Sequence, residues 1–530
     1  MSTLWPRSVW IPVLALALVI FGWRLNSVPL TNWDEGIYAN VNLELFRSHD
    51  WTKLTYFGKD FLEKPPLQFW LTYPLIGVFG PTELAMRLWS ALAGAGTAVL
   101  LALWGWQATQ KRSVAWLAGG LFVLGRFALI HAFRSGDLDG LLTFLIVLAM
   151  YGYWRSLATP RWIIVWGAAG AAAVMTKSLV GLLPLIIVGI DILVSRGWRR
   201  IGWGNIAWAA AAFVALAAPW HIIETVRFGR SFWDSYLGLS VIERTTESLF
   251  TATPWHWYLG IIRDRFWPFS FFLPLAMVLA GRRAGPEKNG LDRLLLLWFA
   301  VTLIIFSLIQ TRREWYILPL YPAAAMLLAR GAAAWWSERQ PRWMQALGLV
   351  SIAAMFGHLL TDTTVRNVLA HIPVGRGLRR VFWQTIPGQI LFGVAATVAT
   401  AIAAALLARR RCSRRQWILG LSGGVMGIVA LTWTGRYIRA LPAALPLKTI
   451  ANRVAQEKAN ELSLIGTKLK KQPAGYFYIL RLDTHSTEYA LGTPPPTPLV
   501  LTTTEEKNAP LNTAEKRLVK LPPFILLDLR

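Results

Sequence analysis

Five short polar clusters carry the residue types that could do chemistry in this chain. The first reads Thr31-Asn32-Trp33-Asp34-Glu35-Gly36-Ile37-Tyr38 and continues into Gly58-Lys59-Asp60-Phe61-Leu62-Glu63-Lys64-Pro65-Pro66. Adjacent carboxylates directly after an apolar run can act as base, ligand or hydrogen-bond acceptor. The plainer reading is a solvated loop with an aspartate capping a helix. Glu63 and Lys64, sharing that loop with Asp34 and Glu35, could frame an anionic lipid headgroup, because lysine binds phosphate as a point charge. The other clusters are Arg134-Ser135-Gly136-Asp137-Leu138-Asp139, Thr176-Lys177-Ser178, Val241-Ile242-Glu243-Arg244-Thr245-Thr246 and Thr311 to Pro322, which includes Tyr316. Taken singly, each reads as interfacial anchoring, and Lys177 could simply snorkel. Their agreement in membrane side, derived below, is what makes them a candidate site.

The elements that must position these clusters are apolar. Of 530 residues, 55% are hydrophobic and only 15% charged, which excludes a disordered chain and points away from a soluble enzyme. Mean hydropathy is +0.43. A bilayer-crossing helix needs about 20 mostly apolar residues. Such runs cover 8–24, 83–107, 113–131, 138–154, 162–176, 178–195, 203–220, 266–281, 294–310, 315–330, 343–361, 385–408 and 416–434. The pattern predicts a polytopic α-helical membrane protein with about 13 transmembrane helices. A shorter helix over 67–79, bracketed by prolines, is expected along the membrane surface.

Placing the N-terminus in the cytoplasm and alternating makes every predicted inside segment net positive. Those segments hold Arg7, Lys111-Arg112, Arg155, Arg161, Arg196, Arg199-Arg200, Arg282-Arg283, Lys288, Arg293, Arg330, Arg339, Arg342 and the run Arg409 to Arg415, against Asp191, Glu287, Asp292 and Glu338. The net charge of +26 is therefore largely a membrane-topology signal, and no nucleic-acid partner is expected. The outside segment 362–384, with Arg366, Arg376, Arg379 and Arg380, departs from the rule. The long outside loops are 25–82 and 221–265, and all five clusters fall on that side. Cys412, the single cysteine, excludes an intrachain disulfide. The division is a membrane unit over 1–434 and a small C-terminal α/β domain over 435–530, on the outer face. Within it, Ile450 to Lys471 reads as a helix; Gly475 to Leu482, Pro498 to Thr504 and Phe524 to Leu529 read as strands.

Asp34-Glu35-Gly36-x-Tyr38, followed by Phe61-Leu62-Glu63-Lys64-Pro65-Pro66-Leu67-Gln68-Phe69-Trp70, resembles the bacterial aminoarabinose transferases that modify lipid A. It also resembles their wider relatives, the protein-mannosyltransferase-like glycosyltransferases of the GT-C superfamily. Leu138-Asp139, Thr176-Lys177 and Tyr316 to Pro322 match in the same order. The likeness is good over about residues 8–330 and beyond that extends only to layout. It implies a GT-C fold and a transferase taking a sugar from a polyprenyl-phosphate donor, in a bacterial inner membrane with the site and C-terminus periplasmic. It implies Asp34 as the catalytic carboxylate, with Glu35 counted as catalytic beside it, and Glu63 and Lys64 lining the donor and acceptor site. Tyr38, Asp139, Lys177, Arg244 and Tyr316 would line the same cavity. The expected partners are an undecaprenyl-phosphate-linked sugar, membrane lipid, and an acceptor that is lipid A, another glycan or a protein.

Two positions depart from the pattern. Ile37 stands where the aminoarabinose transferases tend to carry Arg, and Val241 where they carry a His that resembles a metal ligand. A divalent metal is left open, with His221 and His256 as substitute ligands. The alternative reading is a lipid or solute transporter, which would place charges near the bilayer midplane and show internal repeats. Here the ionisable groups gather at helix ends and no repeat is visible.

Overall fold

The structure is a computed structural model. It describes residues 6–361, apart from 32, 129–131, 243–252, 285–289 and 338–339, and within 454–528 the strands named below, Val454, and Phe477 with Tyr478. The expected helices over 385–408 and 416–434, and the 362–384 segment, lie outside the described residues.

The chain opens with α1 (Arg7–Gly22). Val9, Val13, Ala17 and Phe21, four residues apart, form a buried stripe, while Ile11, Leu18 and Val19 face outward. Then come α2 (Asp34–Ser48), α3 (Leu67–Phe79) and α4 (Glu83–Thr109). Thr82 caps α4 by accepting from the Ala85 amide at 3.3 Å. Next are α5 (Arg112–Leu124), α6 (Asp139–Ser156), α7 (Ile163–Lys177) and α8 (Leu183–Ser195). Further apolar helices cover Trp203–Phe228, Leu273–Arg283, Leu291–Leu308, Tyr321–Ser337 and Arg342–Thr361. Among the described residues, five helical stretches are long and apolar enough to cross a bilayer: Glu83–Thr109, Pro160–Ser195, Trp203–Phe228, Leu291–Leu308 and Glu314–Trp335.

Small residues let these helices pack closely, as they must where lipid supplies no hydrophobic drive. A Cβ on Gly119 would stand 2.8 Å from the Ala98 carbonyl, so α5 meets α4 at a point only glycine allows. Arginine–carboxylate pairs tie one end of the bundle. Asp292 accepts from Arg330 at 2.8 and 2.7 Å and from Arg283 at 2.9 Å. Asp191 accepts from Arg293 at 2.7 Å and from the Tyr153 hydroxyl at 2.6 Å. Both carboxylates sit on segments expected inside, each paired to arginines from those segments.

Two regions differ from expectation. The Asp34-Glu35 segment is not a loop: those residues open the 15-residue α2. Tyr38, Val41 and Leu45, spaced three and four apart, bury against Phe61, Phe69 and Leu138. In the C-terminal region, β3 (Glu461–Ile465) replaces part of the expected helix, because Glu-Leu-Ser-Leu-Ile alternates and pairs on both edges. With β4 (His485–Tyr489), β5 (Leu499–Thr503), β6 (Lys516–Leu521) and β7 (Phe524–Asp528) it forms one sheet of order β4-β3-β5-β7-β6. A separate two-stranded hairpin precedes it in sequence, with β1 as Thr55–Tyr56 and β2 as Lys59–Asp60. β4, β3 and β5 run parallel; β7 is antiparallel to β5 and β6. The strands expected near Pro498 and Phe524 are present. Phe477 and Tyr478, expected in a strand, are instead a buried helical turn.

Candidate active site

The candidate site is built at the end of the bundle opposite the Asp191 and Asp292 pairs. Its frame is Glu35. This side chain is 1% exposed and takes a two-point ion pair from Arg87 of α4, Nε to Oε1 at 2.6 Å and Nη2 to Oε2 at 3.0 Å. Its Oε2 also accepts from the Thr31 amide at 2.6 Å and the Thr31 hydroxyl at 2.9 Å; Oε1 accepts from the Gly136 amide at 2.9 Å. Burial alone would raise the Glu35 pKa, but Arg87 and these amides outweigh it and hold the carboxyl below its usual value. Arg87 further donates to the carbonyls of Leu25, Val28 and Pro29 at 2.6–2.9 Å, fixing the chain that leaves α1.

Asp34, one residue earlier, is different. It is half-buried, and among the described residues no hydrogen bond or ion pair engages its carboxylate. Trp33 before it holds φ +87°, a conformation a bulky residue rarely adopts, so a strained turn sets the direction in which α2 starts.

The Arg134 to Asp139 segment joins three helices. Arg134 donates to the Phe21 carbonyl at 3.4 Å and the Trp23 carbonyl at 2.7 Å, satisfying the end of α1. Gly136 lies against α4: a Cβ there would stand 3.1 Å from the Met86 carbonyl. Gln68 of α3 donates to the carbonyls of Gly136 and Asp137 at 3.3 and 3.2 Å. Ser135 hydrogen-bonds the Asp137 carboxylate. Asp139 then opens α6 and accepts from Lys177 Nζ at 2.6 and 2.7 Å. Lys177 Nζ also lies 5.8 Å from the centre of the Tyr316 ring.

Tyr38 occupies the middle of this group. It is buried and packs edge-on to Phe69, ring centres 5.8 Å apart. Burial, then the charges of Asp34, Asp137, Asp139 and Glu63, push its phenol well above the ordinary value, so it stays a hydrogen-bond donor. Asp34 also lies within electrostatic reach of Lys177. Glu63, whose charge acts on Tyr38, and Lys64 follow in the chain after the β1–β2 hairpin. Its tip, Phe57-Gly58, has φ +53° and +69°, and both tip amides donate to the Glu44 carboxylate of α2, at 2.8 and 3.1 Å. Lys64 is buried and donates to the Glu63 carbonyl at 3.3 Å. Leu62, Leu67 and Trp70 around it pack on the cluster holding Ala171 and Met175 of α7, whose last residue is Lys177.

Of the residues singled out in the sequence, Asp34, Tyr38, Asp139, Lys177 and Tyr316 come together, with Glu63 within reach of Tyr38. Glu35 is placed as a buried strut. Lys177 is already paired with Asp139, so only part of its donor capacity is left for another acceptor. Arg244 lies outside the described residues. Arg87 and Gln68 were missed. Arg87 had a signal, an arginine one turn into an apolar helix, where charge is costly. For metal binding, His221 uses both ring nitrogens: Nδ1 donates to the Ala217 carbonyl at 2.8 Å and Nε2 accepts from the Tyr236 hydroxyl at 2.9 Å. His256 is exposed beside Trp255. Among the described residues, no group of three His, Cys, Asp or Glu side chains is placed to hold a metal ion.

Known proteins share this arrangement of helices. Over 99% of its length the chain superposes on 98% of ArnT from Cupriavidus metallidurans bound to undecaprenyl phosphate, with a TM-score of 0.72 and 20% identity. The chain has the fold seen in that ArnT structure. Residues 11–236 match the dolichyl-phosphate-mannose-protein mannosyltransferase family, a span that contains Asp34, Glu63, Lys64, Asp139 and Lys177. The undecaprenyl phosphate-alpha-4-amino-4-deoxy-L-arabinose arabinosyl transferase of Pseudomonas aeruginosa (strain UCBPP-PA14) is 28% identical over 86% of this chain and 78% of its own. The corresponding transferase 2 of Sodalis glossinidius is 27% identical over 68% of this chain, and an uncharacterized protein of Aquifex aeolicus is 27% identical over 61%. The matches span 64% and 62% of those two relatives' lengths, just under two thirds. The five helical stretches long and apolar enough to cross a bilayer, among the described residues, agree with the apolar runs of the sequence.

Proposed function

We propose that this chain is a membrane glycosyltransferase of the bacterial inner membrane. It moves a sugar from an undecaprenyl-phosphate-linked donor to lipid A, another glycan or a protein, on the periplasmic face. The observation that carries this reading is the contrast at the start of α2: Glu35 saturated by five hydrogen bonds, the Asp34 side chain beside it with none among the described residues, and Lys177 close by. The reading includes the full count of about 13 helices and a periplasmic C-terminal domain over 435–530.

In the reaction, an acceptor oxygen attacks the anomeric carbon while the bond from that carbon to the phosphate oxygen breaks. Asp34 orients the acceptor and takes its proton where the nucleophile is a hydroxyl. Polyprenyl phosphate leaves with the bonding pair, and Lys64, Lys177 and Arg244 stabilise the growing charge. Attack opposite the phosphate inverts the anomeric centre. Tyr38 donates to the sugar or acceptor, since its proton is held tightly. The lipid phosphate supplies the activation, so no nucleotide is required.

The experiment supplies the purified full chain with undecaprenyl-phosphate-linked 4-amino-4-deoxy-L-arabinose and lipid A, and reads both by mass spectrometry. Comparison of envelope lipids and glycans from cells with and without the gene covers other sugars and acceptors. Transfer that depends on the chain is expected; identical envelopes together with no donor consumed would refute the reading.

A further inference from the structure

Tyr478 is far in sequence from the candidate site, yet its hydroxyl sits in the site's supporting frame. The residue lies in the connection between the parallel strands β3 and β4. Its oxygen accepts from the Leu30 amide at 2.8 Å and donates to Glu83 Oε1 at 2.9 Å. Phe477 and Tyr478 are both fully buried. Leu30 immediately precedes Thr31, whose amide and hydroxyl both hold Glu35. Glu83 stands one turn before Arg87 on α4, and Arg87 holds Glu35 together with three carbonyls of the 25–29 chain. One phenol therefore clips the connection leaving α1 to the start of α4, directly behind the turn that presents Asp34.

The chemistry suits this residue type. Leu30 needs an acceptor and Glu83 a donor, and a hydroxyl is the smallest group that serves both. Burial, then the Glu83 charge, raise the Tyr478 pKa, so the proton that Glu83 accepts stays in place at ordinary pH. An apolar ring of the same shape would leave a buried amide and a carboxylate without this partner.

We propose that Tyr478 is a positioning residue for transfer: it couples the C-terminal sheet region to the Asp34 turn, through Leu30 on one side and Glu83 on the other. The C-terminal region thereby sets the geometry of the reacting carboxylate. This inference rests on the reading of Asp34 as the group that activates the acceptor.

The test uses the purified full chain with undecaprenyl-phosphate-linked 4-amino-4-deoxy-L-arabinose and lipid A, comparing the parent with Tyr478→Phe, Glu83→Gln and Asp34→Asn. Tyr478→Phe is expected to lower kcat about tenfold, with KM for the donor within about twofold, as loss of one buried two-way hydrogen bond would do. Amide hydrogen exchange over residues 28–35 should speed up in the same variant. Glu83→Gln keeps an oxygen to accept from the phenol and should keep kcat within about threefold of the parent. An unchanged kcat in Tyr478→Phe overturns the proposal whether or not exchange changes, because the clip would then hold the loop without setting the chemistry. A fall in kcat with unchanged exchange over 28–35 also overturns it, since the route through Leu30 would be wrong. If Tyr478→Phe fails to fold, hydrogen exchange and kcat of Glu83→Ala, which removes the acceptor on α4, decide in its place by the same criteria. Near-parental turnover by Asp34→Asn refutes the reading of Asp34 separately, and the exchange measurement still judges the clip.

Discussion

Lys177 at the end of α7 and Asp139 at the start of α6 form a two-point ion pair, Nζ lying 2.6 and 2.7 Å from the two carboxylate oxygens. Both side chains are largely shielded, at 14% and 5% exposure. Removing one partner of such a pair leaves the other charged and buried, which typically costs about 3–5 kcal/mol, while removing both costs much less. We expect Lys177→Met and Asp139→Asn each to lower the melting temperature in detergent, and the double variant to lose much less than the sum of the two single losses. Additive losses in a double-mutant cycle would show that the pair is not coupled.

Asp34 and Glu35 should separate function from stability. Asp34→Asn is expected to melt like the parent and to lose turnover by about 10²–10⁴-fold, the usual scale for a general base. Glu35→Gln should lower the melting temperature, because Arg87 loses its charged partner inside the fold. The outcome that would sink this assignment is an active, normally folded Asp34→Asn protein alongside a stable but inactive Glu35→Gln protein.

The pH dependence of stability follows from Glu35. Its folded pKa lies below the usual carboxylate value, so the folded state favours the ionised form. The contribution is fully present above the unfolded pKa of about 4.3 and is lost as pH falls through the lower, folded value. Melting temperature should therefore decline on acidification below about pH 4.3, and Glu35→Gln should show a shallower decline. Parallel profiles for the two proteins would count against the strut.

Topology has a direct check. A reporter fused at Ser413, inside the run Arg409 to Arg415, is expected to register in the cytoplasm, and one fused after residue 435 in the periplasm. A periplasmic signal at Ser413 would break the helix count and with it the side assigned to the site.

The sequence by itself determined the helices and their punctuation. Apolar runs placed in lipid have one stable form, because every backbone donor and acceptor must be satisfied within the segment. For that reason the runs from 8–24 through 343–361 recur as helices in the structure, and Asp191 and Asp292 appear where basic segments can pair with them. The Asp-Glu and Glu-Lys-Pro-Pro motifs were legible because local order preserves them. Only the tertiary structure decided which carboxylate is held and which is available. Asp34 and Glu35 have the same chemistry and adjacent positions, but successive helical side chains point about 100° apart. That rotation sends Glu35 to Arg87 and the Gly136 amide, distant in sequence, and leaves Asp34 near Tyr38 and Lys177. The role of Tyr478 was hidden for the same reason: a hydrogen bond between residues 448 positions apart leaves no periodicity in the chain.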